Sequence, residues 1–218
     1  MRRKGVITLS DLDKAWADRW IRGCATTASE HREELIDLDR AIGDADHGEN
    51  VDRGFQAVVK KLDEDQPQDI AGFFKLTAKT LMSTVGGASG PLLGTAFMYA
   101  AKAVSGDTLD ADGIASVVES AVGGVEKRGK AAEGEKTMVD AWAPAARAAR
   151  SAADDGKSPA EVLRAAADAA NDGAEATIDM TATKGRASYL GERSVGHKDP
   201  GATSSAYFLA EASKAVDA

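Results

Sequence analysis

The stretch Ile114-Ala115-Ser116-Val117-Val118-Glu119-Ser120-Ala121-Val122-Gly123-Gly124-Val125 decides the fold class. Its apolar residues recur at Ile114, Val117, Val118, Ala121, Val122 and Val125. That i, i+3, i+4 order lines one side of a 3.6-residue helix. β-Branched side chains weaken helix propensity, yet the period contradicts a strand. Working outward, the same period runs through Val51, Phe55, Val58 and Leu62, and through Ile70, Phe73, Phe74, Thr77 and Leu81. Leu92, Ala96, Phe97 and Val104 carry it between those stripes and the opening one.

Toward the N-terminus, Leu12, Trp16 and Trp20 stand four residues apart. The spacing predicts a first helix that starts at Ser10, with Asp13 as its capping-box partner, and runs through His31 and Leu38 to Asp39. Toward the C-terminus, an alanine-rich helix follows Trp142, and Ser158-Pro159-Ala160-Glu161 is a cap, first-turn proline and N3 acid. A last helix follows Asp199-Pro200-Gly201 and carries Tyr207, Phe208 and Leu209. The count is eight helices and no convincing strand: an all-α fold with short connections and antiparallel neighbours. With no proline- or glycine-rich linker, one domain over residues 1–218 is expected.

The 218 residues are 43% hydrophobic and 28% charged, a soluble globular balance. Net charge is −8 and no basic stripe is present, which argues against a nucleic-acid partner. Met1-Arg2-Arg3-Lys4 is followed only by Val6 and Ile7 before Ser10, so no signal peptide is expected. Thr80 to Ala101 is uncharged, but Gly86-Gly87-Ala88-Ser89-Gly90-Pro91 interrupts it, so no membrane span is expected. The single cysteine, Cys24, excludes an internal disulfide and reads as a buried thiol. Cytoplasmic location is the working expectation.

Chemistry concentrates in the loops. Asp39-Arg40-Ala41-Ile42-Gly43-Asp44-Ala45-Asp46-His47-Gly48-Glu49-Asn50 crowds carboxylates between two helices. Such a cluster repels itself unless a cation sits among its oxygens, and Mg²⁺ completed by a phosphate fits the donor type. Asp39 also closes a helix C-terminus, where a carboxylate is unfavourable unless compensated. An acidic surface turn is the plain alternative. Gly86-Gly87-Ala88-Ser89-Gly90 reads either as a connector or as a phosphate cradle at a helix start. Gly134-Glu135-Lys136-Thr137 reads either as a site loop or, at Lys136 and Thr137, as a helix opening, and Arg186 and Arg193 as phosphate partners or exposed cations. In an up-down bundle the segments 39–50, 86–91, 129–138 and 184–201 fall at one end, which favours a nucleotide–metal site.

Four motifs add a resemblance: Asp39-x-x-Ile42-Gly43-Asp44-Ala45-Asp46-His47-Gly48-x-Asn50, Gly86-Gly87-Ala88-Ser89-Gly90-Pro91-Leu92, Gly134-x-Lys136-Thr137-Met138-x-Asp140, and the run from Gly185 to Ala202. Together they resemble the nucleotide-binding (L) subunits of dihydroxyacetone kinases over nearly the whole chain. The resemblance implies a closed up-down barrel of eight antiparallel helices holding ADP (ATP when phosphorylated) and two Mg²⁺ at one rim. It implies Asp39, Asp44 and Asp46 as magnesium ligands. For the nucleotide it implies the segment His47, Gly48, Glu49 and Asn50, with Glu49 given no individual role. It further implies Ala88, Ser89, Gly129, Met138, Arg186, Asp199, Pro200 and Gly201, with 184–201 as a lid and Met138 against the adenine. No residue is implied as a covalent catalyst; His47 and His197 read as scaffolding.

The implied partners are a K subunit that holds dihydroxyacetone and an M subunit that passes on phosphate from phosphoenolpyruvate. A homodimer is left open. Two alternatives stand beside this: the nucleotide-binding part of an ATP-dependent kinase for dihydroxyacetone or another small ketose or tetrose, and a non-enzymatic metal- or lipid-binding helical adaptor.

Overall fold

The computed structural model describes residues 11–216, and within them the chain is all-α. Nine α-helices are found among the described residues: α1 (Lys14–Glu30), α2 (Arg32–Ile42), α3 (His47–Glu64), α4 (Ile70–Thr84), α5 (Ser89–Ala103), α6 (Ala111–Gly129), α7 (Val139–Asp154), α8 (Pro159–Ala176) and α9 (Pro200–Lys214). From α3 onward each helix packs on its successor, α9 returns to α1, and α1 lies on α3. Thus α2 is an extra segment against α3 and α9. The β pairing found is an isolated bridge, Leu12 with Leu109. No helix among the described residues is long and apolar enough to cross a membrane.

The count differs from the expected eight because the first helix breaks. His31 leaves helical geometry at φ −99° and ψ 11°, and the chain resumes as α2. Neither proline nor glycine causes this. The His31 ring packs on Tyr207 of α9 at 4.2 Å, and its Nδ1 meets Glu34 at 2.7 Å, so the chain turns to follow α9. At the other end Asp13 is itself the cap, accepting from Ala15 N at 2.9 Å and Trp16 N at 3.3 Å. The expected cap Ser10 lies outside the described residues. The cap Ser158 and its partner Glu161 form the expected capping box on α8.

The ring is joined across its ends by two indoles. Trp16 Nε1 donates to Ala212 O at 2.9 Å and Trp20 Nε1 to Phe208 O at 2.7 Å, tying α1 to α9. The same rings stack at 5.1 Å, and Trp20 meets Phe74 edge-on at 5.4 Å. These two indoles thus supply apolar area while their N–H groups stay satisfied. Opposite them, α7 and α8 approach closely through small residues. Pro144 interrupts α7 and has no N–H to offer the Asp140 carbonyl. A Cβ on Gly173 would lie 2.1 Å from that same oxygen.

The segment expected as a lid is ordered by short turns. Arg186–Ser194 folds as 3-10 turns around a kink at Gly191, whose φ is 57°. Ser188 Oγ donates to Gly185 O and Ser194 Oγ to Gly191 O, each at 2.7 Å. These i, i+3 bonds leave no 3.6-residue stripe to read.

Replacing Gly173 by Ala is expected to lower the unfolding free energy by about 1–3 kcal/mol, because backbone must move. Gly123→Ala, in open space within α6, is expected to raise it by up to about 1 kcal/mol. Urea unfolding of both variants checks the pair.

Candidate nucleotide and metal site

The four irregular segments do meet at one end. They enclose a cavity of about 500 Å³ lined by Asp39, Asp44, Asp46 and His47 from the first, and by Gly87, Ala88 and Ser89 from the second. Gly129, Lys136 and Met138 come from the third, and Arg186, Asp199, Pro200 and Gly201 from the fourth. One oxygen from each of Asp39, Asp44 and Asp46 can be chosen so that all three lie within 4.8 Å of one another. That spacing and an all-carboxylate donor set suit a hard divalent cation.

Local geometry explains how the acids converge. Asp39 lies in the last turn of α2, and its Oδ2 accepts from Asp46 N at 2.8 Å and His47 N at 3.1 Å. The positive end of α3 therefore supplies the compensation that the end of α2 lacks. A cation is not required for Asp39 alone; the case for one rests on the three acids together. Gly43 makes the turn possible, since a Cβ there would sit 2.0 Å from Asp39 Oδ1. Ala45 adopts φ 63°, the left-handed turn between Asp44 and Asp46. Arg186 Nη2 reaches Asp44 Oδ2 at 2.8 Å and so spans the mouth from the lid.

His47 is buried, and its Nε2 lies 2.8 Å from Ser204 Oγ. Burial holds its imidazole below the usual range, against the pull of Asp39 and Asp46. The contact ties the first turn of α3 to α9. Gly48, Glu49 and Asn50 do not line the cavity. A Cβ on Gly48 would lie 2.2 Å from Arg32 O, so glycine lets α3 abut α2. Glu49 faces outward and pairs with Arg32 at 2.7 Å. Asn50 is buried beside the glycine turn, where its Oδ1 accepts from Arg53.

Across the cavity, Ser89 opens α5, whose N-terminus no side chain caps. The Ser89 hydroxyl makes only a long bond to Gly86 O at 3.4 Å and can turn to a ligand. Uncapped first-turn N–H groups suit an anion. Met138, Leu92 and Val125 add apolar surface to the lining. Gly201 lies against Met138, with 3.6 Å from its ideal Cβ position to the Met138 Cβ. Asp199 caps α9 by accepting from Ala202 N at 2.7 Å. Burial, then the nearby Asp140 and Asp39 charges, pushes its carboxyl up to about 7, while that N–H and Lys136 oppose the rise.

A profile of the DAK2 domain covers residues 41–214. The chain belongs to the DAK2 domain family. Within it, the chain is 47% identical to the ADP-binding subunit DhaL of a PEP-dependent dihydroxyacetone kinase from Listeria innocua, over 89% of this chain and 92% of that one. The corresponding subunit of Escherichia coli is 46% identical over 87% and 91%. The fold is similar to the crystal structure of the C. freundii dihydroxyacetone kinase in complex with AMP-PNP and Mg²⁺, with TM-score 0.70 and 24% identity. That alignment covers 98% of this chain and 37% of the kinase, so the chain spans about a third of that protein.

The residue that the sequence reading passed over is Lys136, read in a site loop or as a helix opening and found buried. Its one available signal was its place in the motif between Gly134 and Asp140; the burial itself comes from residues far along the chain.

Because the Asp199 carboxyl is raised to about 7 from 3.8, the folded state holds its proton longer than the unfolded state. This stabilising contribution is whole below pH 4 and is lost as pH rises toward 7. Asp199→Asn, which cannot ionise and keeps a cap oxygen, is expected to gain stability relative to the parent across that window, by about 2–4 kcal/mol. Urea unfolding at pH 4.5 and pH 8 without Mg²⁺ or nucleotide reads the change.

Proposed function

We propose that this chain is the ADP- and Mg²⁺-binding subunit of a phosphoenolpyruvate-dependent dihydroxyacetone kinase. One observation carries the reading: four separate loops meet at a single cavity whose acidic side holds Asp39, Asp44 and Asp46 within 4.8 Å of one another. The same cavity is also lined by the apolar Leu92, Val125 and Met138, as a nucleotide with a charged end and a flat base requires. The names of the Listeria and Escherichia subunits support the assignment, and those relatives are matched over 92% and 91% of their lengths. Identity of 47% and 46% to subunits of that kind supports the L-subunit reading. The AMP-PNP and Mg²⁺ of the C. freundii complex support the ligand class.

In this reading Asp39, Asp44 and Asp46 hold two Mg²⁺, which neutralise phosphate charge when bound. Arg186, now paired with Asp44, exchanges that partner for phosphate oxygens as the lid settles. Ala88 and Ser89 receive the inner phosphate at the start of α5. Met138 and Gly129 border the adenine, and Asp199-Pro200-Gly201 with His47 complete the nucleotide pocket. The chain contributes no nucleophile. It positions ADP to accept phosphate from an M subunit, then presents the new terminal phosphate to dihydroxyacetone held by a K subunit, giving dihydroxyacetone phosphate. Choice of sugar lies with K. The whole chain acts as one cytoplasmic domain. With α1 and α2 taken as one broken member, the ring of helices is an eight-membered closed barrel of antiparallel neighbours.

Asp44→Ala and Asp46→Ala are each expected to weaken Mg²⁺-dependent ADP binding by about 100-fold or more. Calorimetric titration with ADP in Mg²⁺ and in chelator reads this; unchanged binding would refute the site. In a mixture with K and M partners and the phosphotransferase-system proteins that carry phosphate from phosphoenolpyruvate to M, labelled phosphate should reach dihydroxyacetone only when all three subunits are present. Transfer from free ATP without M would instead make the chain part of a simple ATP kinase.

A further inference from the structure

Lys136 is a fully buried cation, with 1% of its surface exposed, and it belongs to no ion pair found among the described residues. Its Nζ instead points at backbone carbonyls. It donates to Thr177 O at 2.5 Å, His197 O at 2.5 Å and Met180 O at 3.1 Å, with Ile178 O farther away at 3.5 Å. Its own backbone takes φ 60°, a conformation that a lysine rarely adopts. Burial lowers the ammonium from its ordinary range, and Asp199, Asp179 and Asp140 oppose that from longer distances. A buried charge survives only where its donors are satisfied, and here the partners are carbonyl dipoles.

Those carbonyls come from the two ends of the lid. Thr177, Ile178 and Met180 follow α8, whereas His197 lies just before α9. The ends are stitched to each other: Gly196 N donates to Ile178 O at 2.8 Å, and Asp199 N to Thr177 Oγ1 at 2.9 Å. Lys136 reaches this stitched base from a third element, the loop before α7. That loop is held in turn by Asp140, which accepts from Thr137 N at 2.7 Å. Met138, two residues on, is the cavity wall against which Gly201 packs.

We propose that Lys136 is the positioning residue for the nucleotide lid: its ammonium fills a cage of carbonyls and keeps the lid base and the Met138 wall in register. The proposal rests on the nucleotide reading above. A cage of three or four carbonyl oxygens is a site for any small ammonium, so the lysine is a tethered cation. Removing it takes the ammonium away from these carbonyls, leaving those of Met180 and His197 without their lysine partner, and the lid base separates from the 134–138 loop. Dissociation of bound nucleotide then accelerates while association, through an open mouth, changes little.

The test uses the full chain with Mg²⁺ and a fluorescent ADP analogue in stopped flow. Lys136→Met, which keeps the stem and loses the charge, is expected to dissociate the nucleotide about tenfold faster or more. Lys136→Ala should do the same and should slow toward the parent rate in ethylammonium chloride, but not in tetramethylammonium chloride, whose cation is too large and has no N–H. Lys136→Met, its cage filled by the stem, should not respond. Parent-like dissociation from Lys136→Met, or equal behaviour of Lys136→Ala in the two salts, would overturn the proposal. Should Lys136→Met be insoluble, ethylammonium-dependent recovery of soluble, nucleotide-binding Lys136→Ala supports the cage, and failure of that recovery overturns it. Asp46→Ala separates the two readings. If it alone loses nucleotide, only the role of Lys136 falls; if neither it nor Lys136→Met does, the nucleotide reading falls with it.

Discussion

Asp39 sits in the last turn of α2, at the negative end of its own helix, where its carboxylate is held by the N–H groups of Asp46 and His47 at the start of α3. The bond joins two helix ends whose partial charges are opposite, so each relieves the other. Much of the rim depends on it. The turn between the helices must be tight, which requires Gly43 beside the Asp39 carboxylate and a left-handed Ala45. The same turn brings Asp44 and Asp46 back toward Asp39, so three like charges share one small volume. Their repulsion is tolerated at a partly open rim, with Arg186 across the mouth.

Around that rim the scaffold is built from two kinds of contact. Large aromatics on α1, α3, α4, α5 and α9 fill the middle of the ring, with the two indole N–H groups of α1 bonded to α9 carbonyls. Where bulk is absent, as between α7 and α8, glycine and alanine let backbones approach to contact. The close approach carries α7 and α8 side by side to the site, so that the loop before α7 and the segment after α8 can be joined by Lys136. Stability and site geometry are therefore coupled through the same helix pair.

The lid shows a different economy. Its glycines at 185, 191 and 196 all have positive φ, and its serines bond locally to carbonyls three residues back. Only Ala187 and Ser194 of its 3-10 segment are buried, while Tyr189 is 87% exposed. The segment 184–201 is thus shaped by its own turns and fastened mainly at its base.

The all-α class was legible because stripes such as Ile114 to Val125 repeat at 3.6 residues, and burial follows that period directly. The shared end of the four loops was legible too, since short connections between antiparallel helices leave little choice. The family motifs named Asp39, Asp44, Asp46, Ser89, Met138 and Arg186, all of which line the cavity. Three features lay beyond sequence reading. The break at His31 depends on Tyr207, 176 residues away, and no proline or glycine announces it. The inward or outward facing of the 47–50 turn depends on how closely α3 abuts α2, so Gly48, Glu49 and Asn50 read like His47 until the packing is seen. The role of Lys136 depends on carbonyls at 177, 178, 180 and 197, and a backbone carbonyl carries no residue identity. Period and motif determine which elements form and which side chains bear charge. Only the tertiary structure decides which distant backbone groups a buried charge will meet, because those contacts are set by packing.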